Sequence, residues 1–163
     1  MSPSPLPAAA GQESVWDYPR PPRVENTPEL VVVTLDGLPV ATTTSAVRVL
    51  ETSHPPVYYL PFDAFEPGAL EAAVGSSVCE FKGVASYVSV RAGGRLVSRV
   101  GWTYPSPLPG YELLVDRVAL YAGDLHCTVD GEVVQPQAGG FYGGWITSRV
   151  VGPFKGSPGT RGW

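Results

Sequence analysis

Glycine and proline punctuation limits what this chain can fold into more than any other feature. Its 163 residues include 19 glycines and 18 prolines. Proline fixes φ and removes a backbone donor, and glycine favours turns, so few stretches are long enough for a helix. The runs between these breaks are short and rich in β-branched residues: "ELVVVTL" (29–35), "LPVATTT" (38–44), "AVRVLE" (46–51), "VCEFKG" (78–83), "VASYVSVR" (84–91), "RLVSRVGWTY" (95–104), "RVALYA" (117–122) and "CTVDGEVV" (127–134). Asp-Gly at 36–37 and at 130–131 marks hairpin turns, and "AGG" (92–94) a tight turn. The pattern predicts a small antiparallel all-β domain. One helical stretch is expected near 66–74, where Glu71 and neighbouring alanines favour helix and Gly75 would stop it.

Organisation follows from composition. Residues 1–12 are rich in Pro, Ala and Ser, which predicts disorder. An extended arm, 13–29, carries Trp16 and Tyr18 among prolines, large aromatics that are expected to dock on the domain. The core spans 30–134. The Gly-rich segment 135–163 keeps its aromatics and is read as an ordered tail wrapping that core. Two short echoes, "WDYP" with "WTYP" and "FKG" with "FKG", do not establish a duplication.

Charged residues are only 16% of the chain, with a net charge of −4 and no basic run. That excludes nucleic-acid or anionic-membrane binding through a charged patch. No apolar run approaches a membrane span, and the first residues do not read as an export signal. Cys79 and Cys127 are therefore expected as reduced thiols in a cytoplasmic protein.

The segments "RVLETSHPPVYYLP", "CEFKGVASY", "WTYP" and "VDGE…PQ…GGFYGGWIT…GPFKG.PGT.GW" together resemble the domain-of-unknown-function 427 family over residues 13–163. The resemblance implies an all-β domain of the β-tent kind found in methionine sulfoxide reductase B, and no known reaction. That family has also been labelled nucleotidyltransferase-like. Nucleotidyl transfer needs metal ions on closely spaced carboxylates and a turn cradling phosphates. The chain has no such carboxylate pair after a Gly-Ser turn, and "GGFYGG" is not a phosphate loop. Some β-tent relatives hold zinc with two CxxC pairs; this chain has neither, and adjacent His126-Cys127 is poor ligand spacing. No zinc, magnesium or other cofactor is expected.

The polar candidates cluster in the same segments. In "RVLETSHPPVYYLP", Pro55 restricts His54 to extended geometry, placing it beside Glu51 as a base with a carboxylate orienter, or simply as a histidine at a stiff corner. In "CEFKG", read as strand, Glu80 and Lys82 share one face and Cys79 and Phe81 the other. Cys79 is then either an inert thiol or a nucleophile assisted by His54. Glu51, His54, Glu80 and Lys82 are the acid–base candidates. Arg48, Tyr59, Cys79, Trp102, Tyr104 and Trp145, with Phe141 and Tyr142, are candidate walls of a pocket. The expected function is small-molecule binding or small-molecule enzymology. The alternative is a non-catalytic module gripping a peptide or modified side chain. At least three of Glu51, His54, Tyr59, Glu80 and Lys82 are expected to face one cavity.

Overall fold

The structure, a computed structural model, describes residues 3–163. It is all-β, as the punctuation predicts. With strands numbered along the chain, a seven-stranded antiparallel sheet runs in the order β2 (Arg23–Thr27), β5 (Ala46–Leu50), β6 (Val57–Pro61), β10 (Arg117–Leu120), β9 (Arg95–Thr103), β8 (Gly83–Ala92), β7 (Leu70–Cys79). A four-stranded sheet runs β12 (Glu132–Val133), β11 (His126–Val129), β3 (Val31–Leu35), β4 (Leu38–Thr43). Two short pairs complete it: β1 (Glu13–Ser14) with β15 (Val150–Val151), and β13 (Gln135–Pro136) with β14 (Trp145–Ile146). Asp36 and Gly37, both at positive φ, close the β3–β4 hairpin, and Asp130 and Gly131 do the same between β11 and β12.

The two-residue period of the strands divides the core. Val31, Val33 and Leu35 of the small sheet pack against Tyr58, Leu60, Val118 and Leu120 of the large one, with Trp145 inserted among them. Tyr58 stacks on Trp145 with ring centroids 5.2 Å apart, and the Trp145 Nε1–H donates to the Leu120 carbonyl at 2.9 Å. The opposite face of the large sheet gathers Val47, Val49, Tyr59, Trp102, Tyr104 and Ala119. Tyr58 and Tyr59, adjacent in sequence, thus serve different layers.

The expected helix near 66–74 is a strand. Gly68 and Gly75, both at positive φ, leave only six residues between them, too few to nucleate a helix. Leu70–Ala72 pair instead with Val88–Val90 of β8, and the register slips between Ala72 and Ser76. The remaining helical structure is three single 3-10 turns, at Val15–Asp17, Phe62–Ala64 and Glu112–Leu114. "CEFKG" is likewise not strand throughout: Cys79 pairs with Gly83, and Glu80–Lys82 form the β7–β8 turn.

Arm and tail are held to the core. Val15, Tyr18, Leu50 and Val150 form a third buried cluster, on which Trp16 and Phe154 pack half-buried. The stretch expected to be disordered is tied down at Leu6, whose N–H donates to the Gly152 carbonyl, and at Gln12, whose side chain donates to the Ser148 carbonyl. Arg48 locks the arm. Its side chain is 1% exposed and donates to Glu13 of β1 and to Glu25 of β2. Tyr18 donates to Glu13 at 2.7 Å, and Arg149 of the tail reaches both Glu13 and Glu29. Burial alone would raise the Glu13 carboxyl. The hydrogen bonds from Arg48 and Tyr18, with the charges of Arg48 and Arg149, outweigh it and hold the group at about 2.

A carboxyl depressed in the folded state stabilises above its ordinary value near 4.5 and loses that stabilisation as pH falls toward about 2. Glu13→Gln is therefore expected to lower stability at neutral pH by roughly 1–2 kcal/mol, a range already discounted for solvent screening at this partly exposed carboxyl. Urea unfolding of variant and wild type should approach one another below pH 4.5 and converge only near about pH 2. An equal stability gap at both pH values would show that Glu13 acts by packing, not charge.

Candidate functional site

The corner 51–56 is strung between the two extensions. The Thr52 N–H donates to the Pro19 carbonyl and the Ser53 N–H to the Val15 carbonyl, both in the arm. The Ser53 carbonyl accepts from the Lys155 N–H, and the Pro56 carbonyl from the Trp145 N–H, both in the tail. Ser53 is fully buried at φ 72°, a left-handed conformation that a serine holds only where its surroundings impose it. His54 follows it, 7% exposed.

The tail fixes the imidazole. Gln137 Oε1 accepts the Gly144 N–H at 3.0 Å, so its Nε2 must be the donor. That Nε2 donates to the Lys155 carbonyl at 2.7 Å and approaches His54 Nδ1 at 3.2 Å. Nδ1 is thereby the acceptor, and the proton sits on Nε2, facing Glu51 Oε2 at 3.6 Å. Burial pushes the His54 imidazole down to about 3, and the positive charges of Lys155, Arg20 and Lys82 push the same way. The ring is neutral at physiological pH, so its approach to Glu51 is not an ion pair. Glu51 is paired instead with Arg20 at 3.2 Å.

Beside this corner lies a cleft of about 290 Å³ between residues 51–59, the β7–β8 turn, β9 and the tail. Glu51, His54, Tyr59, Glu80 and Lys82 all line it, together with Cys79, Trp102 and Tyr104. On its floor Trp102 Nε1–H donates to the Tyr59 hydroxyl at 3.1 Å, and the Tyr59 and Tyr104 rings lie 6.3 Å apart. Burial, chiefly, raises both phenols well above the ordinary tyrosine value, so they remain protonated donors. Phe141 and Tyr142 of the tail cover the other side, and Tyr142 meets the His54 ring edge-on at 4.7 Å. A larger depression, about 610 Å³, beside Pro21–Val24 and the 108–111 loop is open and has no comparable set of converging polar side chains.

Two expected wall residues do not reach the cleft. Arg48 alternates with Val47 and Val49 along β5, so it points away from Tyr59 and into the Glu13–Glu25 cluster. Trp145 is buried in the core against Tyr58. Cys127 is a core thiol, pushed up to about 12 by burial. Tyr87 and Tyr121 on the cleft wall escaped sequence reading, and so did two residues of the tail, Gln137 and Lys155. The sole sequence trace of the latter two was that they fall in the "PQ" and "FKG" elements of the tail. The glycines around them had a readable purpose: a Cβ at Gly143 would stand 2.4 Å from Trp102, and one at Gly144 2.6 Å from the Pro55 carbonyl. The tail can reach the cleft only without those side chains.

Fold and cleft together define an all-β domain with one aromatic-walled, charged cleft. A family model described as a domain of unknown function (DUF427), named NTP_transf_9, matches residues 23–135. The chain belongs to that family. A comparison with curated proteins returned no match.

The tautomer lock has a direct readout. In nitrogen NMR, His54 is expected to show protonated Nε2 and bare Nδ1, unchanged from about pH 8 to 5. Gln137→Leu should mix the two tautomers. Because the folded value lies below the ordinary 6.5, stability contributed by neutral His54 falls as pH drops from 6.5 toward about 3. A wild-type ring protonated at Nδ1 would refute the assignment.

Proposed function

We propose that the chain binds a small organic molecule in this cleft and is equipped for acid–base chemistry on it. The observation that carries the reading is convergence: Glu51, His54, Glu80 and Lys82 share one cavity with Tyr59, Trp102 and Tyr104. Such a mixture of apolar walls with a few fixed polar groups is the usual character of a ligand site. A volume of about 290 Å³ suits a molecule of one or two rings.

Glu51 is the group able to take a proton. It lies 3.2 Å from Arg20, and its side chain is 23% exposed at the cleft. His54 is a donor rather than a base: its Nδ1 lone pair is engaged by Gln137, which leaves the Nε2–H to polarise an oxygen. The family's name points to nucleotidyl transfer, but the residues do not fit its metal requirement. Among the described residues no three His, Cys, Asp or Glu gather as ligands, and Glu51 is engaged by Arg20.

Ligand-observed NMR against a library of ring-bearing fragments tests the proposal. Hits should bind the wild type and weaken at least about tenfold in Tyr142→Ala, which removes a half-buried wall. Glu51→Gln should weaken binding or turnover while costing at most about 1 kcal/mol of stability, the usual limit for an exposed ion pair. Fragments that bind wild type and Tyr142→Ala equally well would place binding elsewhere.

A further inference from the structure

Two ammonium groups at the cleft rest on aromatic rings. Lys82 Nζ stands 5.9 Å from the centre of the Tyr104 ring, and Lys155 Nζ 5.2 Å from that of Tyr142. Among the described residues, neither makes a salt bridge to an Asp or Glu side chain, whereas six of the nine arginines do. The Lys155 ammonium donates, among the described residues, to one group, the backbone oxygen of Trp163 at 3.4 Å. Both line the cleft, Lys82 on the β7–β8 turn and Lys155 on the tail. Lysine left on an aromatic face in place of a carboxylate keeps its charge available to an incoming anion.

The opposing charges at the cleft are already committed or screened. Glu51 is held by Arg20 at 3.2 Å. Glu80 is exposed on the turn, where water screens it. The neutral His54 adds a donor, its Nε2–H lying 3.6 Å from the nearest carboxylate oxygen and so beyond ordinary hydrogen-bond length. Burial chiefly lowers the proton affinity of His54, and the positive charges of Lys155, Arg20 and Lys82 lower it further. Around these donors the walls are rings: Trp102, Tyr104, Tyr121, Phe141 and Tyr142.

Resting on the cleft as the binding site, we propose that its ligand is a flat ring compound with an anionic head, the head held between Lys82 and Lys155 and the ring between the aromatic walls. The cleft thus selects charge at one end and flatness at the other. Carboxylate and phosphate heads share this chemistry.

A matched probe set separates the possibilities: naphthoate, naphthyl phosphate, naphthalenemethanol and naphthylmethylamine, titrated by calorimetry into the full chain at low salt. The anions are expected to bind at least about tenfold more tightly than the alcohol, and the amine more weakly than either. The tighter of the two anions identifies the head. Lys82→Met and Lys155→Met should each remove most of that preference while the alcohol binds as before, which also shows that the variants are folded. If the alcohol or amine equals the anions in the wild type, or if the double lysine variant keeps the preference, the anionic head is wrong and the cleft as a ring-binding site still stands. If none of the probes binds, both readings fall together.

Discussion

The two backbone bonds of Ser53 set the geometry on which the site depends. One goes to Val15 in the arm and the other to Lys155 in the tail, so a single buried residue joins both extensions to the corner between β5 and β6. Its left-handed φ turns the chain so that His54 follows into the cleft, and Pro55 and Pro56 carry it back to β6. Buried backbone groups require partners, and at Ser53 the core supplies neither. The extensions supply both. The family match, 23–135, covers the sheets that form the floor of the cleft. The residues that complete it, Phe141, Tyr142 and Lys155, and the Gln137 that orients His54, lie beyond that span.

The large sheet uses charge differently on its two faces. On one, Arg48 is almost wholly buried, and carboxylates from β1 and β2 surround it. A buried guanidinium without partners would be costly, and with them it fixes where the arm must lie. On the other face, Lys82 and Lys155 rest on aromatic rings and are not neutralised in the same way. The first arrangement is closed and structural. The second leaves potential available to a ligand. Tyr58 and Tyr59 show the division within one dipeptide: one donates to Glu29 and stacks on Trp145, the other lines the cleft.

Much of this was legible in the sequence, and for identifiable reasons. Turn chemistry at Asp36-Gly37 and Asp130-Gly131 is local, so the hairpins could be read directly. The "RVLETSHPPVYYLP" and "CEFKG" segments carried Glu51, His54, Tyr59, Cys79, Glu80 and Lys82, which share the cleft, because polar groups beside aromatics are seldom retained in plain corners. Arg48 was misplaced although the strand period already put it on the face opposite Glu51. The helix expected near 66–74 failed because pairing with β8 outweighs the propensity of six residues caught between glycines. Gln137 and Lys155 were beyond reach: their roles depend on a tail returning across the whole domain, and no local pattern encodes that.

The claim that arm and tail build the site is tested most directly by amide hydrogen exchange at single-residue resolution. If Ser53 and Lys155 are locked to one another and to the arm, their N–H groups should exchange as slowly as those of β6, and together, because opening either bond releases the same corner. Fast exchange at Ser53 and Lys155 with β6 still protected would contradict the account, leaving a folded core whose cleft the extensions do not hold.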